Sequence, residues 1–212
     1  TGCGIIPLLL ASLEPSVKIT AVEIQESLYT QAVRNVSQNG FSKQIRVVHG
    51  DFVQLADTFQ PESFDLAVSN PPYRKINTGR INPHPEKAVA RHELSLNLGS
   101  LIRSAAGLLT SGGNIVLAYP PSRLGEVLEE LVSQNLFPSR MRFVHGSKGA
   151  EARIFLVEAV QGQKTDCVVQ DPLYVYNRDG TYTMEMEGIY DSFNHFDRPD
   201  HIEEKSDGDR PG

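Results

Sequence analysis

The sequence has few of the features that mark secreted, metal-binding or membrane proteins. It has only two cysteines, Cys3 and Cys167, no tryptophan, and no apolar run near the roughly 18 residues of a membrane-spanning helix. Two cysteines cannot form a disulfide framework or a four-ligand zinc site, and the histidines show no metal-ligand spacing. We therefore expect a cytoplasmic protein that holds no metal and contacts no membrane.

An excess of positive charge is also lacking. The 212 residues carry 20 Lys and Arg against 26 Asp and Glu, a formal net charge of −6. This balance excludes a uniformly basic nucleic-acid coat, although it permits a local basic patch. The length suits one domain of ordinary size with a sizeable core, and we expect a monomer.

The chain does not begin with Met, and it opens with the glycine-rich run Thr1-Gly2-Cys3-Gly4. Such a run normally joins a strand to a helix, because glycine lets a ligand approach the backbone closely. We therefore expect that the strand upstream of these glycines is missing from this polypeptide. Its neighbours in the sheet, the strands predicted at 17–22 and 64–69, should then lack a ladder partner along one side.

Helix-like and strand-like segments alternate along the first two thirds of the chain. Helices are predicted at 5–13, at 25–39 and in the periodic region 94–108, which Gly112-Gly113 ends; strands are predicted at 17–22, 45–49, 64–69 and 114–119. Only a short loop separates the strand-like segments 141–145 and 153–159, so they must pair antiparallel. The pattern predicts an α/β fold with a doubly wound, mostly parallel, Rossmann-like sheet whose last strand is antiparallel and whose opening strand is missing.

Three regions are predicted. Residues 1–165 form the α/β domain, and residues 166–190 form an extension with a hairpin at 173–186 that turns at Arg178-Asp179-Gly180. Residues 191–212 form a tail in which seven acidic residues face three basic ones, and we expect it to be disordered.

The sharpest motif is Asn70-Pro71-Pro72-Tyr73, directly after the strand predicted at 64–69. The prolines stiffen the turn and remove two backbone donors, so the side-chain oxygen of Asn70 and the carbonyl of Pro71 can accept from a planar amino group. Tyr73 offers an aromatic face to a flat amide or base. The motif therefore predicts alkylation of an sp² nitrogen at the sheet edge where open α/β folds bind ligands. The alternative is a structural Pro-Pro turn beside a core tyrosine.

The glycine turn and the acid after the next strand predict a nucleoside cofactor site. Thr1, Gly2 and Gly4 form the turn, and Glu23 follows about twenty residues later at a strand end. A carboxylate there can accept from both ribose hydroxyls. The alternative is a solvated carboxylate.

Asp51 and Phe52 follow the strand at 45–49. The carboxylate can accept from an adenine amino group, and the ring can lie against the base. The alternative is a helix N-cap followed by a core phenylalanine. Because all these features follow successive strands, we expect them at one edge of one sheet, which favours the binding site.

The loop at 74–93 is locally basic, with five cations against two carboxylates: Arg74, Lys75, Arg80, Lys87 and Arg91 against Glu86 and Glu93. A cationic loop beside the reacting group can hold RNA phosphate, and Lys148 and Arg153 are expected to extend its surface. The alternative is a solvated loop.

In this order the motifs resemble those of the class I S-adenosylmethionine-dependent methyltransferases. Gly79-Arg-Ile-Asn-Pro83 and Ala90-Arg-His-Glu-Leu94 narrow the resemblance to the bacterial tRNA1(Val) (adenine-37-N6)-methyltransferase family. The segments 156–159 and 173–177 are similar to that family's C-terminal end. The resemblance covers residues 1 to about 190, and the family's opening strand with its Asp-Leu-Gly is absent.

The resemblance implies an S-adenosylmethionine-dependent N6-methylation of an adenine in tRNA. It places the reacting amino group at Asn70, Pro71, Pro72 and Tyr73, the cofactor at Thr1, Gly2, Gly4, Glu23, Asp51, Phe52 and Asn70, and the tRNA at the five loop cations. Protein glutamine N5-methylation and DNA adenine methylation are alternatives, because in each of them the same motif would hold a planar amino group. A non-catalytic nucleic-acid-binding fragment is another, because a chain without its opening strand should fold poorly and bind the cofactor weakly.

Overall fold

Helices and strands alternate along the chain as the sequence pattern predicts. The computed structural model describes residues 1–71 and 98–194. The helices of these ranges are α1 (Ile5–Leu13), α2 (Glu26–Gln38), α3 (Phe52–Leu55), α4 (Leu98–Leu108), α5 (Leu124–Ser133) and α6 (Met184–Asn194). The strands are β1 (Ile19–Glu23), β2 (Ile45–His49), β3 (Phe64–Ser69), β4 (Leu109–Tyr119), β5 (Leu136–Ser147), β6 (Ala152–Gln161), β7 (Val168–Val169) and β8 (Leu173–Tyr176).

The strands form a two-stranded and a six-stranded sheet. β1 pairs with β2 in parallel, and the larger sheet has the order β3-β4-β6-β5-β7, with β8 also paired to β5. β3 runs parallel to β4, whereas β6 runs antiparallel to both of its neighbours, β4 and β5. The predicted α/β fold with one reversed strand near the end of the domain is therefore confirmed.

β1 and β3 belong to different sheets. Among the described residues, β1 pairs with β2 alone and β3 with β4 alone, so each has one edge without a ladder partner, as we expected for these two strands. Leu66 and Val68 of β3 are 46% and 40% exposed. The expectation of a single sheet edge needs correction. Glu23 ends one strand of the smaller sheet and Asp51 follows the other, whereas Asn70 follows a strand of the larger sheet.

Two separate clusters of buried side chains match the two sheets. The larger cluster gathers residues of β4, β5, β6, α4 and α5, among them Ile102, Leu117 and Phe155, which are fully buried. The smaller one contains Ala11, Ala21, Val36 and Ile45, from α1, β1, α2 and β2. Since burial of apolar surface is the main stabilising contribution, the larger sheet is the better supported of the two.

We predicted from the sequence that Gly112 and Gly113 end the helix before β4, and this prediction is wrong. They lie inside β4, where the pairing with β3 jumps from Phe64↔Leu109 to Leu66↔Asn114. Gly112 has a φ of +80°, and a Cβ on Gly113 would lie 2.9 Å from the carbonyl oxygen of Thr110. The two glycines therefore form a β-bulge, in which any residue with a Cβ would be strained. Bulges are a common reason for glycine inside a strand.

The hairpin predicted within residues 166–190 also needs correction. β8 is followed by a single antiparallel bridge, Tyr176↔Tyr182, and the expected second arm is helix α6. The Thr183 hydroxyl accepts from the backbone N–H of Met186 over 3.3 Å, which caps a segment rich in Met and Glu. α6 runs to Asn194, past the predicted boundary at 190, and the rest of the predicted tail lies outside the described residues.

Candidate active site

The glycine turn lies against the end of β1. The backbone N–H of Gly2 donates to Oε2 of Glu23 over 2.6 Å, and the Thr1 nitrogen lies 2.8 Å from the same oxygen. Gly4, with a φ of +90°, directly precedes α1, and a Cβ there would lie 3.3 Å from the Cβ of Ala32. Gly4 is therefore needed both for its conformation and for its space. The structure brings Thr1, Gly2 and Glu23 together, with Gly4 in the same turn.

Glu23 is a buried carboxylate, 6% exposed, and not the solvated side chain of the alternative interpretation. Its Oε1 accepts from the backbone N–H of Gln25 over 2.9 Å. Burial alone would raise the pKa of the Glu23 carboxyl, but the hydrogen bonds from the Thr1 ammonium, Gln25 and Gly2 outweigh it and lower that pKa below its usual range. Glu23 is therefore a charged acceptor at neutral pH at the end of β1.

Asp51 lies at the same edge as Glu23. Glu23 is in register with His49, and the Gly50 N–H donates to the Glu23 carbonyl over 2.9 Å. Oδ1 of Asp51 accepts from the N–H of Val53 over 2.9 Å, so Asp51 is the N-cap of α3, and Phe52 packs against the larger core. The structural alternative for this pair is thus present. Oδ2 of Asp51 has no hydrogen-bond partner within residues 1–71 and 98–194, which leaves it as an acceptor.

Two aromatic rings at this edge were not singled out by sequence reasoning. His49 stacks on Tyr29, with ring centroids 5.2 Å apart, and its Nε2 donates to the carbonyl of Ile24 over 3.1 Å. His49 belongs to β2 and Tyr29 to α2, twenty positions apart, so no local sequence pattern predicts that the two rings stack. Together they fix the peptide that follows Glu23.

Asn70 lies directly after β3, beside β4. Ser69 is in register with Leu117, which places Asn70 level with the end of β4. The Asn70 side chain is exposed, whereas Pro71 is buried. Pro72, Tyr73 and all five predicted RNA-contacting cations (Arg74, Lys75, Arg80, Lys87 and Arg91) lie outside the described residues. Their roles stay predictions.

A second Pro-Pro pair follows β4. Tyr119, 2% exposed, ends the strand, and Pro121–Arg123 form a short 3-10 turn that leads into α5. The Arg123 guanidinium lies 5.3 Å from the centre of the Tyr119 ring and forms an ion pair with Glu126, whose hydrogen bonds raise the pKa of Arg123. Sequence reasoning could have found this turn, because Pro120-Pro121 comes just after a predicted strand, as Pro71-Pro72 does. β4 thus ends in a proline-stiffened turn.

No helix in the described ranges is both long and apolar enough to cross a membrane. Within the same ranges, no three His, Cys, Asp or Glu side chains form a group that would hold a metal ion.

Comparison with known proteins gives one family. Residues 1–136 match the family model described as the methyltransferase small domain. A tRNA1(Val) (adenine(37)-N6)-methyltransferase of Christiangramia forsetii is 30% identical over 91% of this chain and 79% of its own length. A protein of the same name from Proteus mirabilis is 32% identical over 91% of this chain and 77% of its own length.

Solved structures agree on the fold. A predicted O-methyltransferase from Agrobacterium tumefaciens superposes with a TM-score of 0.72 at 19% identity, over 90% of this chain and 85% of that one. This superposition covers a larger share of the chain than the family model does.

Proposed function

We infer the function of this chain from its family, because it belongs to the methyltransferase small-domain proteins and, among them, to the tRNA1(Val) (adenine(37)-N6)-methyltransferases. The chain is an S-adenosylmethionine-dependent methyltransferase. We propose that it methylates N6 of an adenine in tRNA, the substrate in its relatives' names.

The described residues fit the cofactor. S-adenosylmethionine supplies an electrophilic methyl group on a sulfonium, and it carries a ribose and an adenine. Glu23 presents a buried, charged acceptor of the kind that binds ribose hydroxyls, and the glycine turn beside it leaves its backbone open to a close approach. Oδ2 of Asp51 is an acceptor suited to the adenine amino group.

Asn70 would act on the substrate. The N6 amino nitrogen of adenine is a poor nucleophile, because its lone pair is delocalised into the ring. The Asn70 side-chain oxygen and the Pro71 carbonyl can each accept one of its hydrogens, which holds the amino group in place and favours a tetrahedral nitrogen. Orientation for in-line attack then supplies most of the acceleration, and the released proton can pass to water.

The observation that carries the proposal is the exposed Asn70 at the carboxyl end of β3. The chain is similar over 91% of its length to relatives that are named for this activity. Protein glutamine and DNA adenine offer the same planar amino group. The names of the relatives and the basic composition of residues 74–93 support RNA over both.

A substrate panel tests the proposal. Purified chain with methyl-labelled S-adenosylmethionine is given unmodified tRNA1(Val), an adenine-containing DNA duplex or a glutamine-containing protein acceptor. We expect label in the tRNA alone. Label in DNA or protein but not in tRNA would contradict the proposed substrate, and cofactor binding without transfer to any of the three would favour the non-catalytic alternative.

A further inference from the structure

A concave surface of about 490 Å³ lies next to the end of β4. Its walls come from two places. One is Pro120, Pro121 and Ser122 after β4, and the other is Ala150 and Glu151 before β6 with Ala152 and Arg153 at its start. We call this surface the β4–β6 hollow.

The register of the sheet places the hollow close to Asn70. Ser69 pairs with Leu117, and Tyr119 pairs with Phe155. Pro121 lies two residues after Tyr119, and Arg153 lies two residues before Phe155. Both residues line the hollow. Since neighbouring strands are about 4.8 Å apart, β6 lies roughly 10 Å from β3, on the side of β4 away from Asn70. A ligand bound at Asn70 that extends past β4 therefore enters the hollow.

Two cations, Arg153 in the lining of the hollow and Lys148 in the turn next to it, have no carboxylate partner in the described part of the chain. Lys148, in the turn between β5 and β6, and Arg153 are both exposed, and neither forms an ion pair there. In contrast, Arg123, Arg140 and Arg142 are each paired with a glutamate. Glu151 is the single acid of the lining and Arg153 its single cation. With Lys148, two residues before Ala150 of the lining, the three charges sum to +1.

The turn between β5 and β6, which carries Lys148 and precedes Arg153, is held in place. The Ala150 N–H donates to the Ser147 carbonyl over 3.1 Å, and Nδ1 of His145 donates to the Ala150 carbonyl over 2.7 Å. Gly149 allows the turn with a φ of +89°. On the opposite wall, Pro120 and Pro121 offer apolar rings with fixed backbones. A preformed site loses less conformational entropy when a ligand binds.

We propose that the β4–β6 hollow binds the RNA strand next to the target adenine. Lys148 and Arg153 contact its phosphates, and the rings of Pro120 and Pro121 contact the adjoining nucleoside. Phosphate contacts of this kind fix the register of a nucleic acid on a protein, so the hollow orients the strand while Asn70 holds the base. The proposal rests on the proposed function, because it takes the substrate to be RNA.

The experiment compares tRNA1(Val) binding by the wild type and by the double variant Lys148→Gln, Arg153→Gln over a range of salt concentrations. We expect weaker binding and a log–log salt slope reduced by about one to two units, since each lost contact to a single strand removes about 0.7. KM for tRNA should rise. Glu151→Gln should strengthen binding, because it removes a repulsive charge.

The control variant is Arg34→Gln, Lys43→Gln, which removes the same charge from exposed sites on α2 and before the amino end of β2. It should leave the salt slope unchanged. If the wild type methylates tRNA but the hollow variant keeps the wild-type slope, the subsite is overturned and the proposed function stands. If the wild type neither binds nor methylates tRNA, the proposed function fails and the subsite with it.

Discussion

At the scale of single residues, the account depends first on Asn70. We expect Asn70→Ala to lower the rate of methyl transfer at least ~100-fold, because a positioned group at the reacting centre is lost. Affinity for S-adenosylmethionine should change little, since the side chain is assigned to the substrate amino group. Single-turnover methylation and calorimetry measure the two quantities. Asn39→Ala, at the exposed end of α2, is the control, and an Asn70→Ala variant of near wild-type rate would refute the assignment.

Glu23 carries the second residue prediction. Glu23→Gln should weaken S-adenosylmethionine binding about 10- to 100-fold, the effect of losing a charge-assisted hydrogen bond of roughly 1.5–3 kcal/mol. Glu26→Gln, at an exposed position in the first turn of α2, should leave it unchanged. Equal dissociation constants for Glu23→Gln and the wild type would remove Glu23 from the site.

The lowered pKa of Glu23 also sets a pH dependence. Its carboxyl has a pKa below the ordinary 4.5, so it stays charged in the folded chain to a lower pH than when unfolded. Its contribution to cofactor binding is thus complete above pH 4.5 and is lost as the pH falls through the lowered value. The contribution of Glu23 to the S-adenosylmethionine affinity of the wild type should therefore stay constant from pH 8 to pH 5. A Glu23-dependent loss between pH 7 and 5, absent in Glu23→Gln, would contradict the assigned direction.

At the scale of residues, local spacing singles out candidates where one chemical function requires one residue type. The glycines of the opening turn, the acid at the end of β1 and the asparagine after β3 were predicted in this way, and their roles in binding stay predictions. The stacking of His49 on Tyr29 was not predictable, because it depends on how α2 packs against β2. Asp51 shows a further limit: capping and ligand binding select the same side chain, and spacing alone does not separate them.

At the scale of elements, α3 separates the two roles of Asp51. Asp51→Ser should keep the cap of α3, since serine is a good N-cap, but should weaken cofactor binding because its hydroxyl is too short to replace Oδ2. Asp51→Ala should lose both, and the cap should cost about 1 kcal/mol. Calorimetry gives the affinity, and hydrogen exchange of the α3 amides gives the local stability. Unchanged cofactor affinity in Asp51→Ser would mean that Asp51 is a cap alone.

The elements that the sequence mispredicted share a cause. Gly112-Gly113 fits a helix stop as well as it fits a bulge, and only the pairing of β4 with β3 distinguishes the two. The segment after β8 alternates like a strand, but the Thr183 cap and the following Met and Glu residues make it a helix. The parallel strands were predictable because their apolar runs are short and rich in β-branched residues.

At the scale of the whole molecule, the division into two sheets predicts unequal stability. The β1–β2 sheet has a small core of four buried residues, whereas β4 and β6 lie in a much larger cluster. We therefore expect the amides of Ala21 and Val48, which donate within the β1–β2 ladder, to exchange faster than those of Leu117 and Val157, through local opening of the smaller sheet. Native-state hydrogen exchange measures this. Equal protection in both sheets would mean that the chain unfolds as one unit.

The central claim is that this molecule methylates N6 of one adenine in a tRNA. It is tested most directly by treating unmodified tRNA1(Val) with the chain and S-adenosylmethionine and identifying the product by nucleoside mass spectrometry. We predict N6-methyladenosine at the adenine named in the relatives, adenine 37, and no product in a transcript with guanine at that position. A methyl group on any other atom, or an unchanged yield from the guanine transcript, would contradict the account.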